Sequence, residues 1–156
     1  MKFHTRKFGE IDIADEKIIN MPLGLPGFLG RTRFVLLERM ETRPFCWFQS
    51  VDDPNLALVI MNPFLFNADY SVDIEPALKE MAWKGDALEK MAVYVVLTFH
   101  DGGPYRITAN LIGPIIINTQ KCEAVQLVIS DSPYSHQHPV MEHHKTVFQP
   151  ENAVGR

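Results

Sequence analysis

Two β-prone runs on either side of a four-residue turn constrain this chain more than any other feature. Residues 45–51 and 56–61 flank Asp52-Asp53-Pro54-Asn55. Asp53 suits the first turn position as a hydrogen-bond acceptor, Pro54 fixes φ at the second, and Asn55 suits the third. Residues 56–61 are continuously apolar, the pattern of a strand covered on both faces. The expectation is a hairpin that is core along its strands and displays two carboxylates at its tip.

A chain of 156 residues, 46% hydrophobic and 22% charged, has the composition of one soluble globular domain and lies far from the disordered class. Its net charge of −4 is modest but unevenly placed. Residues 44–78 contain no Lys or Arg, while Asp52, Asp53, Asp69, Asp73 and Glu75 all fall there. That stretch carries −5, leaving +1 on the rest, where 15 basic residues face 14 acidic ones. Local acidity of this kind fits a solvated face or a docking surface for a basic partner, and it weighs against direct nucleic-acid binding. Cys46 and Cys122 form no CxxC pattern and read as free thiols of a reducing cytoplasm. The first residues are charged with no apolar stretch behind them, unlike a signal peptide, and no run approaches the ~18 apolar residues of a membrane span.

Taken in order, the chain predicts a mostly β domain with one short helix. Residues 1–8 make a short strand that Gly9 breaks, and residues 10–13 and 16–19 alternate as a half-buried hairpin. Residues 23–28 form a Gly/Pro loop expected to drop Phe28 into the core, and 34–37 are the next strand. Pro76 starts a helix whose apolar stripe is Leu78, Met81 and Ala82, with Gly85 as its cap and one further helical turn over 86–91. Residues 92–99, 105–109 and 124–130 are β-prone, and Pro114 inside an apolar run implies a break, bulge or sheet edge. Residues 64–70 and 111–117, both Pro-flanked, are candidate edges for a partner. Residues 1–140 form the domain, and the polar residues 141–156 read as a flexible tail.

Catalytic chemistry is sparse. The Gly-rich loop lacks the Lys-Ser/Thr and following helix of a phosphate cradle. His136, His138, His143 and His144 lack the fixed spacing to Cys or clustered carboxylates that metal binding requires, so neither metal nor cofactor is expected. Asp52-Asp53 would serve acid–base catalysis only in a pocket that separates their pKa values, whereas adjacent turn residues splay into water. No Gly-x-Ser-x-Gly elbow is present. The competing enzymatic reading is a small β-barrel enzyme in which Asp52, Asp53, His100, His136 and His138 converge in three dimensions.

Segment 45–63, with Gln49-Ser50, Asp52-Asp53 and Pro54 at its centre, resembles the flagellar assembly factor FliW family. So do Leu25-Pro26-Gly27-Phe28 with Arg33-Phe34, Thr108-Ala109-Asn110-Leu111 with Pro114-Ile115-Ile116-Ile117-Asn118, and Tyr134 with His138-Pro139. The resemblance implies a small single-domain antiparallel β-barrel-like protein, non-enzymatic and monomeric on its own. It would bind flagellin and the RNA-binding translational regulator CsrA. Flagellin would displace CsrA, which would then silence flagellin messenger RNA; export of flagellin would free the factor to capture CsrA again. The amphipathic helical ends of flagellin would need an apolar groove or a sheet edge. Candidate partner-binding residues are Asp52, Asp53, Asn55, Asp69, Tyr70 and Asp73, facing the basic surface that an RNA-binding protein carries.

Overall fold

A computed structural model describes residues 1–101 and 106–140. Its strands are β1 (Lys2–Thr5), β2 (Gly9–Asp12), β3 (Ile19–Asn20), β4 (Arg33–Glu38), β5 (Cys46–Ser50), β6 (Ala57–Met61), β7 (Met91–Phe99), β8 (Ile107–Ala109), β9 (Ile115–Asn118), β10 (Glu123–Gln126) and β11 (His138–Pro139). The helix α1 (Glu75–Glu80) is accompanied by four short 3₁₀ turns. The hairpin expected at the centre of the sequence is β5–β6, with Cys46 opposite Ile60 and Gln49 opposite Ala57.

Pairing closes the sheet on itself. β3, β4, β5, β6 and β7 are neighbours in that order; β7 then pairs with β9, β9 with β10, and β10 returns to β3. The result is a seven-stranded barrel, and closure removes the open edges that would otherwise invite association. Every contact in the ring is antiparallel except β3–β10, which is parallel and rests on Asn20 opposite Glu123. The long β7 makes the closure possible: its first residues pair with β9 and its last with β8, which carries β11 on its far side. Between β8 and β9 the chain leaves the ladder, with Asn110 Oδ1 accepting the Ile112 amide at 3.1 Å and Gln126 Nε2 donating to the Gly113 carbonyl at 2.8 Å. This is the break that Pro114 implied. It is no sheet edge, because Ile115, Ile116 and Ile117 ladder with β7 on one side and β10 on the other.

Period-two alternation sorts the side chains. Phe34, Cys46, Phe48, Ile60, Ile115, Ile117 and Ala124 face inward and form one cluster, with the Phe34 and Phe48 rings stacked 4.5 Å apart. The outer faces are covered in three places. The β1–β2 hairpin lays Phe3 and Ile11 on Val35 and Val51; α1 and the residues after it lay Ala77 and Trp83 on Ile116 and Val125. The segment after β6 lays Phe66 and Tyr70 on Val95, Leu97 and Ala109. Each fully buried large side chain of this kind contributes about 1.5–3 kcal/mol. Trp83 is wholly buried and satisfies its indole N–H by donating to Glu123 Oε1 at 2.9 Å.

Several local expectations are corrected. The N-terminal hairpin joins β1 to β2, not residues 10–13 to 16–19; Asp15–Lys17 is a 3₁₀ turn and β3 leaves to pair with β4. Phe28 is partly exposed, and Leu25 is the residue the loop buries. The helix ends at Glu80, and the left-handed capping position after it is Ala82, not Gly85. Ala82 adopts φ 58°, and the Trp83 amide donates to the Leu78 carbonyl at 2.8 Å, a Schellman ending. Residues 64–70 are not a sheet edge either, since Pro63–Leu65 coils into a 3₁₀ turn. The last ring strand is shorter than expected, and the short β11 follows it. The tail at 141–156 lies outside the described residues.

Candidate functional site

The Ser50 hydroxyl and the Gln49 amide nitrogen at the centre of the β5–β6 hairpin serve its own turn, while the buried Gln49 Oε1 has no hydrogen-bond partner among the described residues. Ser50 Oγ accepts the Asp52 and Asp53 amides at 3.0 and 2.9 Å, and the buried Gln49 Nε2 donates to the Ser50 and Leu56 carbonyls at 3.0 and 3.1 Å. The Leu56 amide closes the turn on the Asp53 carbonyl, and Asp53 Oδ1 accepts the Asn55 amide at 3.0 Å, as the turn chemistry required. Pro54 contributes its carbonyl to the Arg6 amide, tying the hairpin to the segment after β1.

The two carboxylates do not splay into water. Asp53 Oδ2 accepts Arg31 Nε and Nη2 at 3.2 and 3.1 Å. Asp52 Oδ2 accepts the Thr32 and Arg33 amides, and Oδ1 takes the Arg33 guanidinium. Burial by itself would raise the Asp52 pKa; the Arg33 side chain, the two amides and the Arg33 charge outweigh it and hold the carboxyl below its ordinary range. The picture of an acid-displaying platform is therefore corrected. The cations that neutralise this tip lie at the start of β4, outside the acidic stretch counted in the sequence.

Asp69, Tyr70 and Asp73 stand on the segment that crosses the barrel's outer face, apart in the fold from Asp52, Asp53 and the exposed Asn55 on the hairpin turn. Tyr70 is 4% exposed, donates its hydroxyl to the Leu111 carbonyl at 2.8 Å and packs 4.8 Å from the Tyr134 ring. Burial, then the neighbouring Tyr134, push its pKa up to about 12. Its side chain packs within the cluster on the barrel's outer face. Asp73 Oδ1 accepts the Glu75 amide at 3.0 Å and is exposed; Asp69 is exposed and makes no ion pair among the described residues. Phe64 and Leu65 are partly exposed just before them. The acidic surface that remains free is thus centred on Asp69 and Asp73, beside two apolar side chains.

The barrel's ends differ. Leu25, anchored by a turn in which the Phe28 amide donates to its carbonyl at 2.8 Å, plugs one end and leaves a cleft of about 280 Å³ walled by Leu58, Val96 and Phe28. The same loop exposes Leu23 and Leu29, the latter at 83%. The other end is open, with a cavity of about 450 Å³ walled by Ile19, Leu36, Ala92, Tyr94 and Ile117. Sequence reading missed this feature. Its signal was the inward alternation of Ala92, Tyr94 and Val96 along β7, whose meaning depends on ring closure.

The residues required by the enzymatic reading are dispersed. Asp52 and Asp53 are held by Arg33 and Arg31, and His100 shares a hydrogen with Thr108 Oγ1 at 2.7 Å. His138 stacks near Phe66 at 5.9 Å, and His136 lines the smaller cleft. Among the described residues no group of three or more His, Cys, Asp or Glu is placed to hold a metal. His143 and His144 lie outside the described residues. No helix among them is long and apolar enough to cross a membrane.

These features define a small closed β-barrel whose polar motif residues build its own turns and whose free apolar and acidic groups lie on the outside or at one mouth. The chain belongs to the FliW family. A model of that family, described as FliW protein, matches residues 2–140. The flagellar assembly factor FliW of Bacillus subtilis (strain 168) is 37% identical over 141 residues, covering 90% of this chain and 96% of the relative. That of Geobacter sulfurreducens is 38% identical over 142 residues, covering 91% and 87%. A crystal structure of the flagellar assembly factor FliW superposes with a TM-score of 0.81 at 33% identity, covering 90% of this chain and 96% of that one.

Proposed function

We propose that this protein is a cytoplasmic, non-enzymatic flagellar assembly factor, monomeric on its own. It binds flagellin and the translational regulator CsrA, and relieves CsrA repression of flagellin synthesis by partner switching. The observation that carries the reading is the match over residues 2–140 to proteins named flagellar assembly factors. The free acids Asp69 and Asp73 next to Phe64 and Leu65 support it, as a surface suited to a protein partner with basic and apolar character.

Calorimetric titration with CsrA and with flagellin from the same organism tests the proposal. Binding to both, with CsrA affinity lowered in the presence of flagellin, is the expected result. Binding to flagellin alone leaves an assembly factor without a translational arm, and no heat with either partner, at two temperatures, overturns the proposal.

A further inference from the structure

The open mouth of the barrel has the make-up of a socket. Its walls are the inward faces of β3, β4, β7 and β9, and Leu36, Ala92 and Tyr94 are only partly buried, with no plug over them among the described residues. The volume of about 450 Å³ falls in the range that holds a ligand group, ~300–1,000 Å³. The rim carries Glu16, Glu38, Lys17, Thr119 and Cys122. Neither Glu16 nor Glu38 forms an ion pair among the described residues, and Lys17 is the one ammonium among the lining side chains. Glu38, the last residue of β4, is among the residues that line the cavity.

Exposed apolar side chains stand on two segments joined to the rim. Met40, two residues beyond Glu38, is 78% exposed. Leu88, 62% exposed, sits on the turn whose Lys90 carbonyl accepts both the amide and hydroxyl of Thr119. A free small molecule inside the cavity would leave these side chains bare, whereas a polypeptide running from the mouth along either segment would cover one of them.

We propose that the open mouth docks a segment of a partner protein, seating one large apolar side chain between Leu36, Ala92, Tyr94 and Ile117 and setting an adjacent Lys or Arg against Glu16 and Glu38. The inference rests on the binding-factor reading above and adds where a basic, apolar segment is held. An apolar anchor in a pocket ringed by further apolar contacts is the arrangement that concentrates binding energy at interfaces.

The test uses the full chain, ¹⁵N-labelled, and a defined peptide, acetyl-Gly-Lys-Leu-Lys-Gly-amide, followed by NMR. Amide shifts are expected to centre on Leu36, Ala92, Tyr94, Ile117 and Thr119. Affinity is expected to fall about tenfold or more when the peptide's Leu becomes Ser, and about threefold when its two Lys become Glu. Shifts elsewhere, or indifference to the Leu, overturn the socket. A second arm titrates flagellin and CsrA against the wild type and Thr119→Trp, which fills the mouth from its rim, with thermal unfolding as the folding control. The socket requires a loss of about tenfold or more for one partner. Unchanged partner binding overturns the socket and leaves the flagellin–CsrA reading standing. Peptide capture at the mouth with neither partner bound does the reverse. Self-association that Thr119→Trp abolishes would assign the mouth to a second copy and overturn the proposed occupant.

Discussion

Arg33 grips Asp52 with Nε and Nη2 at 3.0 and 2.8 Å from Oδ1, while the second carboxylate oxygen takes the amides of Thr32 and Arg33 itself. One side chain therefore ties the tip of the β5–β6 hairpin to the start of β4, and it does so at the most acidic point of the sequence. Asp52→Ala should lower stability by about 1–3 kcal/mol, since it removes charge-assisted hydrogen bonds and strands two amides. A urea midpoint that does not move would contradict this.

The same contact gives stability a dependence on acid. Asp52 keeps its charge in the folded state below its ordinary value of 3.8, whereas the unfolded chain takes up the proton there first. Its contribution is complete above 3.8 and is lost as pH falls through the lowered folded value. Asp52→Asn should flatten this part of the acid unfolding curve, measured by circular dichroism, and leave the slope above it unchanged.

At the alkaline end Tyr70 acts in the opposite sense. With its folded pKa raised from 10.0 to about 12, its contribution is present below 10.0 and is lost as pH rises through about 12. Tyr70→Phe should cost about 1 kcal/mol at neutral pH through loss of the bond to the Leu111 carbonyl. It should also remove a late step from the absorbance titration of the tyrosines.

Ala82 occupies a backbone conformation that favours glycine, at φ 58°, where the helix ends. Ala82→Gly should stabilise the protein by about 0.5–1 kcal/mol, because relief of the left-handed strain exceeds the added entropy of the unfolded chain. Thermal unfolding checks the sign.

The two free thiols should separate by reactivity. Cys46 is buried inside the barrel, and burial, then the Glu38 charge, push its pKa up to about 11; Cys122 sits at the open mouth. In the folded protein a disulfide reagent should modify one thiol quickly, and Cys122→Ser should abolish that phase. The second thiol should react only as the protein unfolds.

What the sequence made legible was local. Asp53, Pro54 and Asn55 specify their turn within four residues, and the β-prone runs on either side of it are the strands β5 and β6. The partners of the carboxylates were hidden, because Arg31 and Arg33 lie about twenty residues upstream and a charge count over 44–78 does not see them. Ring closure was hidden for the same reason: it depends on Asn20 meeting Glu123, a contact with no local signal. The loop over 23–28 misled because aromatic size suggested that Phe28 was the buried residue. Gly24 and Gly27, at φ 73° and 86°, instead shape a turn that sends Leu25 inward. The commitment of the Tyr70 hydroxyl to the loop after β8 also has no local signal, since Leu111 lies 41 residues away.

The partner-switch account is tested most directly with a reconstituted mixture of CsrA and fluorescently labelled flagellin leader RNA, read by anisotropy. Adding this protein should lower the anisotropy as CsrA leaves the RNA, and adding flagellin should restore it. Anisotropy that is unchanged by saturating amounts of the protein, or that falls and cannot be restored by flagellin, would contradict the account.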